Sequence, residues 1–87
     1  MTDKQPPKIK DTSAASQRVR LLERLHAGPV STFEAREELN IMMPAARVKE
    51  LRLRGYPVQT HLSDLRDAHG YMHQGVATYY LTEGGAA

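Results

Sequence analysis

The sequence predicts a mainly α-helical domain that ends in a small antiparallel β-hairpin. Between residues 12 and 55, apolar residues recur at helical spacing in segments that capping and turn residues bound. After Gly55 the spacing changes to the alternation of a strand. The 87 residues are enough for one small domain with a modest core. We expect it to span residues 12–82, between a disordered basic tail at residues 1–11 and a loose tail at residues 83–87.

The first helix is expected to begin at a Thr12 or Ser13 cap and to run to about His26. Gly28 would end it, and Pro29 would prevent the helix from continuing. The side chains expected to face the core are Ala15, Val19, Leu22 and Leu25 or His26, with Leu21 at their border. Those expected to face outward are Arg18, Arg20, Arg24 and Glu23.

The second helix is predicted to start near Thr32. Ser31 and Glu34 have the spacing of a capping box, in which each side chain accepts a hydrogen bond from the other residue's backbone N–H. Val30, just before the cap, suits a hydrophobic staple or a very short strand. Three glutamates make this helix acidic, so it would repel phosphate and is expected to support its neighbour.

The third helix is predicted to run from Pro44 to Arg54. Asn40 tolerates the left-handed backbone of a tight turn, Pro44 suits the first turn of a helix, and Gly55 suits the position after its end. The residues expected to face inward are Ile41, Ala45, Val48 and Leu51 or Arg52. The helix is basic, because it carries Arg47, Lys49, Arg52 and Arg54 against Glu50 alone.

Two short helices joined by a tight turn, with a basic second member, indicate a DNA-recognition helix-turn-helix. The residues predicted to contact DNA are Met42, Met43, Pro44, Ala46, Arg47, Lys49, Glu50 and Arg54. The small Ala46 would permit close approach to a thymine methyl, and Lys49 suits phosphate. For Arg47 two interpretations stay open: contact with a guanine or a phosphate, or an ion pair with Glu37 or Glu38 of the second helix.

Two strands are predicted after the helices, at residues 56–61 and 76–82, joined by a polar connection from Leu62 to Gly75. They would pair as an antiparallel hairpin with a long tip. Three helices followed by a hairpin form the winged-helix arrangement, in which the hairpin is the wing. Asp64 and Asp67 face only Arg66 in this connection, so the wing is not obviously basic.

Composition argues against several classes of protein. The chain has no cysteine, and therefore no disulfide framework or thiolate metal site. No apolar stretch is long enough to span a membrane and no signal-peptide pattern is present, so a cytoplasmic protein is expected. His61, His69 and His73 with an aspartate are too scattered to predict a metal site. We expect no cofactor, no small-molecule ligand and no enzymatic activity, since no nucleophile with a base or phosphate loop is evident.

The chain resembles winged helix-turn-helix proteins of bacteriophages and prophages and, more loosely, the DNA-binding domain of the biotin repressor. The residues that carry the resemblance are RLLERL, GPVSTFEAREELNI, PAARVKELRLRGYPVQT and ATYYL. They cover about residues 17–81 apart from the wing tip. The resemblance implies a small DNA-binding protein, often of phage or prophage origin, that acts in regulation or in DNA transactions and has no catalytic residues.

The expected function is therefore binding of double-stranded DNA in the major groove, by a homodimer that doubles a small footprint. The alternative is a winged-helix adaptor that binds a protein partner and no DNA, which would suit the acidic second helix and wing. Binding of RNA or single-stranded DNA is a weaker interpretation, because it would need more exposed aromatic residues than the core leaves available.

Overall fold

The computed structural model describes residues 12–82. Its elements are α1 (Ala14–Ala27), β1 (Val30–Ser31), α2 (Thr32–Glu38), α3 (Pro44–Leu53), β2 (Val58–Arg66) and β3 (Met72–Leu81). The strands form one antiparallel sheet in the order β1-β3-β2. This confirms the predicted winged-helix arrangement. Both predicted tails lie outside the described residues, so the domain limits stay a prediction. None of the helices within residues 12–82 has the length and apolar character needed to cross a bilayer.

The local signals for helix ends are confirmed. The Ser13 hydroxyl accepts the backbone N–H of Ser16 at 3.2 Å and caps α1. Ser31 and Glu34 form the reciprocal capping box at the start of α2, with bonds of 3.1 and 2.8 Å. Asn40 has the left-handed backbone expected of the turn, with φ of 54°. Each of these features depends on a few neighbouring residues, which is why the sequence shows it.

The face that α1 turns toward the core agrees with the predicted one at Leu25 and partly at Leu22, and it differs at Ala15, Val19 and Leu21. Leu21 and Leu25 are buried, whereas Val19 is 57 % exposed and Ala15 is exposed as well. Leu21 and Leu25 are four residues apart and therefore lie above one another on the same helix face. Burying two leucines removes more apolar surface from water than burying Ala15 and Val19 would.

The prediction that the arginines of α1 face outward is only partly correct. Arg20 Nε donates to the Leu39 carbonyl at the end of α2, at 2.9 Å, and Arg24 Nη1 donates to the Gly28 carbonyl at 3.1 Å. Carbonyls at helix ends lack intrahelical partners, and long guanidinium side chains can reach them while their stems cover apolar surface. These bonds therefore provide hydrogen-bond donors to carbonyl groups at the C-terminal ends of α1 and α2.

The core lies where the three helices meet the base of the sheet. Pro44, Val48 and Leu51 point into it from α3, while Ala45, predicted to face inward, is exposed. Spacings of four and three residues place Pro44, Val48 and Leu51 on one face, and Ala45 lies off that face. The buried hydrophobic cluster consists of Leu21, Leu25, Val30, Ala35, Ile41, Val48, Leu51, Val58 and Tyr79.

The wing is longer and more regular than predicted. Most of the polar connection expected at residues 62–75 is strand, and β2 and β3 pair from Val58–Leu81 out to Arg66–Met72, with a bulge between Ser63 and Leu65. The sequence does not predict the outer parts of these strands, because both of their faces are largely exposed near the tip. Apolar and polar residues therefore do not alternate there. Val30 does form a short strand, which pairs with Tyr79 of β3.

Asp67 organises the turn at the wing tip. Its Oδ1 accepts the backbone N–H groups of His69 and Tyr71 at 2.9 and 3.0 Å, and its Oδ2 lies 2.8 Å from His73 Nε2. The hydrogen bond from His73, helped by the two backbone bonds, holds the pKa of Asp67 below its usual value. The charged form of this carboxylate therefore stabilises the turn.

Replacing Asp67 by asparagine is expected to lower the melting temperature near pH 6, and the difference from wild type should shrink in acid. Because the folded-state pKa is depressed, the stabilisation is present above the ordinary value of 3.8 and is lost as the pH falls through the lowered pKa. Thermal unfolding at a series of pH values measures this. Asp64→Asn, which changes a carboxylate bonded to a single backbone N–H in the same hairpin, is the control. A gap for Asp67→Asn that persists unchanged to low pH would contradict the assignment.

Candidate nucleic-acid interface

The turn between α2 and α3 is fixed by backbone and side-chain hydrogen bonds. The Ile41 N–H donates to the Ala35 carbonyl at 3.1 Å, and the Ile41 side chain is fully buried. Arg36 Nε, on α2, donates to the Met42 carbonyl at 3.1 Å. These contacts set the angle between the two helices and leave the N-terminal end of α3 at the surface.

That end of α3 carries two exposed apolar side chains. Met42 is 66 % exposed and Met43 is 65 % exposed. Met43 stands at the N-cap position and makes no side-chain capping bond there, so its flexible thioether is free to meet another surface. Exposed methionines next to a helix start offer adaptable apolar contact rather than packing within the domain.

The outer face of α3 carries two alanines, one leucine and a positive charge. Because Pro44, Val48 and Leu51 point into the core, the opposite side of the helix presents Ala45, Ala46, Lys49 and Leu53. Lys49 is exposed and makes no ion pair or hydrogen bond with any residue in the described range. Two alanines next to a free ammonium group allow a ligand backbone to approach α3 closely.

Glu50 links α3 to α1. Its Oε1 accepts a hydrogen bond from Arg18 Nη1 at 2.7 Å, and its Oε2 accepts one from Arg47 Nη2 at 2.9 Å. The hydrogen bond from Arg18, together with the positive charges of Arg47 and Arg54, holds the pKa of Glu50 below its usual value. Of the two interpretations left open for Arg47, the pairing with Glu37 or Glu38 is wrong, since its acidic partner is Glu50 on the same helix.

Two further arginines stand at the C-terminal end of α3. Arg52 Nε donates to the Val58 carbonyl and its Nη2 donates to Thr60 Oγ1, both at 2.7 Å. Arg54 Nη1 donates to the Glu50 carbonyl at 3.2 Å, and its side chain is exposed. Arg52 thus ties the end of α3 to the base of the wing, so that helix and hairpin keep a fixed relation.

Comparison with protein families identifies this arrangement. The profile of the winged helix-turn-helix domain matches residues 16–84, which is most of the chain. The chain belongs to the winged helix-turn-helix family. Domains of this family bind DNA in general and are typically not enzymes. No curated protein and no solved structure matches the chain significantly.

The winged helix-turn-helix fold places the eight predicted DNA contacts in three groups. Those exposed are Met42, Met43, Lys49 and Arg54, and Ala46 is half-buried. Arg47 and Glu50 are paired with each other and partly covered by α1. Pro44 is buried, so its side chain offers no surface and serves to begin α3. The DNA contacts themselves stay predictions.

Ala45 and Leu53 belong to the exposed face of α3, although they are not among the predicted contacts. The sequence pattern places Ala45 in the core, whereas in the structure Pro44 is the residue buried there, and so Ala45 is absent from the predicted contacts. The missing signal was the 4-then-3 spacing of Pro44, Val48 and Leu51, which describes a single helix face more closely than the assigned set.

The wing histidines do not assemble a metal site. Within residues 12–82, no three histidine, aspartate or glutamate side chains come close enough together to hold a metal ion. His73 contacts Asp67 and also meets the ring of Phe33 on α2, with 5.2 Å between ring centroids. This edge contact places part of the wing against the acidic helix.

Proposed function

We propose that this winged helix-turn-helix protein binds double-stranded DNA sequence-specifically, with the exposed face of α3 in the major groove. The observation that carries the proposal is Lys49, an exposed cation that makes no ion pair or hydrogen bond with any residue in the described range and lies beside Ala45 and Ala46 on a helix fixed by its neighbours. A helix that enters the major groove has to present groups that suit phosphates and base edges, and an ammonium group beside small apolar side chains offers both.

The proposed contacts divide by chemistry. Lys49 and Arg54 provide charge for phosphate oxygens, and Met42, Met43 and Ala46 provide apolar contact with base edges such as the thymine methyl. The exposed Ala45 and Leu53 extend that apolar contact along the helix. Arg47 would have to leave Glu50 before it could reach a base.

The biological setting that we propose is that of a phage or prophage regulator, or of an accessory protein in DNA transactions. The resemblance of RLLERL and PAARVKELRLRGYPVQT to proteins of that origin supports it. We further propose a homodimer, because a single small module contacts few base pairs and a dimer doubles that footprint.

Duplex binding is expected to weaken steeply with salt. The two phosphate contacts per chain, from Lys49 and Arg54, predict a slope of about −2 in log affinity against log salt concentration, and about twice that for a dimer. Fluorescence anisotropy of a labelled random duplex from low to physiological salt measures the slope. Titration at duplex concentrations above the Kd counts the chains per duplex, for which two are expected.

Failure to bind duplex at low salt, by protein that circular dichroism shows to be folded, would refute DNA binding. The adaptor interpretation would then stand in its place. In that case the surface to examine is the cleft between α2 and the wing, where Glu34, Glu37 and Asp67 surround Phe33 and Leu65. Duplex binding by a single chain would refute only the dimer.

A further inference from the structure

Glu50 occupies an unusual place for an acidic residue on a recognition helix. Its two carboxylate oxygens each hold one arginine, Arg18 from α1 and Arg47 from the preceding turn of α3. The side chains of Arg18, Arg47 and Glu50 are 19 %, 18 % and 29 % exposed, so the group is partly covered by the domain. Arg47 and Glu50 belong to α3, the helix that we propose to enter the major groove.

The pairing restrains both guanidinium groups. Hydrogen bonds between ionised partners are the stronger ones in proteins, so a phosphate has to compete with the Glu50 carboxylate for both arginines. Phosphate accepts charge-assisted and often bidentate hydrogen bonds from arginine, so it gains little over the carboxylate that already holds them. The pairing therefore lowers the gain from contact between these arginines and the DNA backbone.

The hydrogen bonding of the Arg47 guanidinium is incomplete in the folded domain. Its Nε is buried without a hydrogen-bond partner among the described residues, which is a cost that the folded domain retains. Release from Glu50 would let the guanidinium turn outward and satisfy that nitrogen with water or DNA. The Glu50 contact is the only acidic pairing that the structure gives Arg47 within residues 12–82.

We propose that Glu50 is a positioning residue that holds Arg18 and Arg47 away from the DNA backbone and thereby limits binding to non-specific duplex. The inference rests on the proposed DNA binding and adds a mechanism of discrimination to it. Non-specific affinity grows with the number of cations that reach phosphate, so keeping two arginines from phosphate lowers the affinity for non-specific duplex. Discrimination by an unfavourable element of this kind is a common route to specificity.

The test compares Glu50→Gln with wild type on a random duplex of about two helical turns. Glu50→Gln is expected to bind roughly tenfold more tightly at about 50 mM salt, and its salt slope should be steeper by about one to two. Adding Arg47→Gln to this variant should remove much of the gain. The loss of affinity for the random duplex that Arg47→Gln causes should be smaller in the wild-type background than in the Glu50→Gln background.

Glu38→Gln is the matched control, because it removes one negative charge from an exposed residue of α2 that pairs with no arginine in the described range. It should leave the salt slope unchanged. If Glu50→Gln matches this control while wild type binds duplex, the role of Glu50 is refuted and DNA binding stands. If neither wild type nor Glu50→Gln binds at low salt, both proposals are refuted.

Glu50→Asp covers the case in which Glu50→Gln does not fold. It keeps the negative charge but withdraws the carboxylate by one methylene, so it cannot hold both arginines at their present distances. A steeper salt slope for this variant supports the proposal, since the formal charge is the same as in wild type. An unchanged slope overturns it.

Discussion

Replacing Leu21 by alanine is expected to lower the free energy of unfolding by about 3 kcal/mol, because the change empties a fully enclosed site in the core. The same replacement at Val19, which is 57 % exposed, should cost less than about 0.5 kcal/mol. Both variants shorten an apolar side chain on α1 to the same methyl group. Chemical denaturation followed by circular dichroism measures both values.

The size of the first effect matters for so small a domain. Folded domains are stable by only about 5–15 kcal/mol, so Leu21→Ala would remove a large share of the total. A larger loss for Val19→Ala would mean that α1 turns the face containing Val19 toward the core, and equal losses would contradict the difference in burial between Val19 and Leu21. The Val19 variant is therefore both the control and the competing hypothesis.

The sequence could not choose between these faces, because α1 carries two stripes at helical spacing. One holds Val19 and Leu22, the other holds Arg18 and Leu21, and Leu25 lies at helical spacing from both. A charged residue in a stripe argues against burial unless a partner meets it. Here the partner is Glu50 of α3, at 2.7 Å from Arg18. Only the tertiary packing supplies that information.

Helix ends depend on residues that are neighbours in the sequence, whereas strand lengths depend on residues that are far apart in it. The capping box of Ser31 and Glu34 and the left-handed Asn40 depend on their neighbours in sequence, and both were predictable. The outer part of β2 was not, because its exposed polar residues are held in a strand by pairing with β3. Cross-strand pairing joins residues that are far apart in sequence, so a local pattern misses it.

The exposed face of α3 was predictable in outline, whereas its ion pairs were predictable only in part. Val48 and Ile41 face inward as expected, which fixes Lys49 on the outside. The pairing of Arg47 with Glu50 follows the i, i+3 spacing that favours contact along one helix, and that spacing was visible in the sequence. The third member, Arg18, comes from α1 and could not have been found by spacing.

Reversing the charge of Lys49 with Lys49→Glu is expected to weaken duplex binding roughly 100-fold at low salt. The change removes one phosphate contact and places a negative charge in its position, which together are worth about 2–3 kcal/mol near a protein surface. Glutamate and lysine have similar helix propensities, so α3 should keep its structure. The slope of log affinity against log salt concentration should become shallower by about one per chain, because one cation no longer contacts phosphate.

Arg24→Glu is the charge-matched control, since it makes the same reversal near the C-terminal end of α1, where Arg24 bonds to the Gly28 carbonyl. Anisotropy titrations of both variants on the same random duplex, at temperatures where circular dichroism shows folded protein, give the comparison. A large loss for Lys49→Glu with a small one for Arg24→Glu places DNA on the exposed face of α3. Equal losses would mean that net charge governs binding, and DNA would then have to be sought on another surface of the domain.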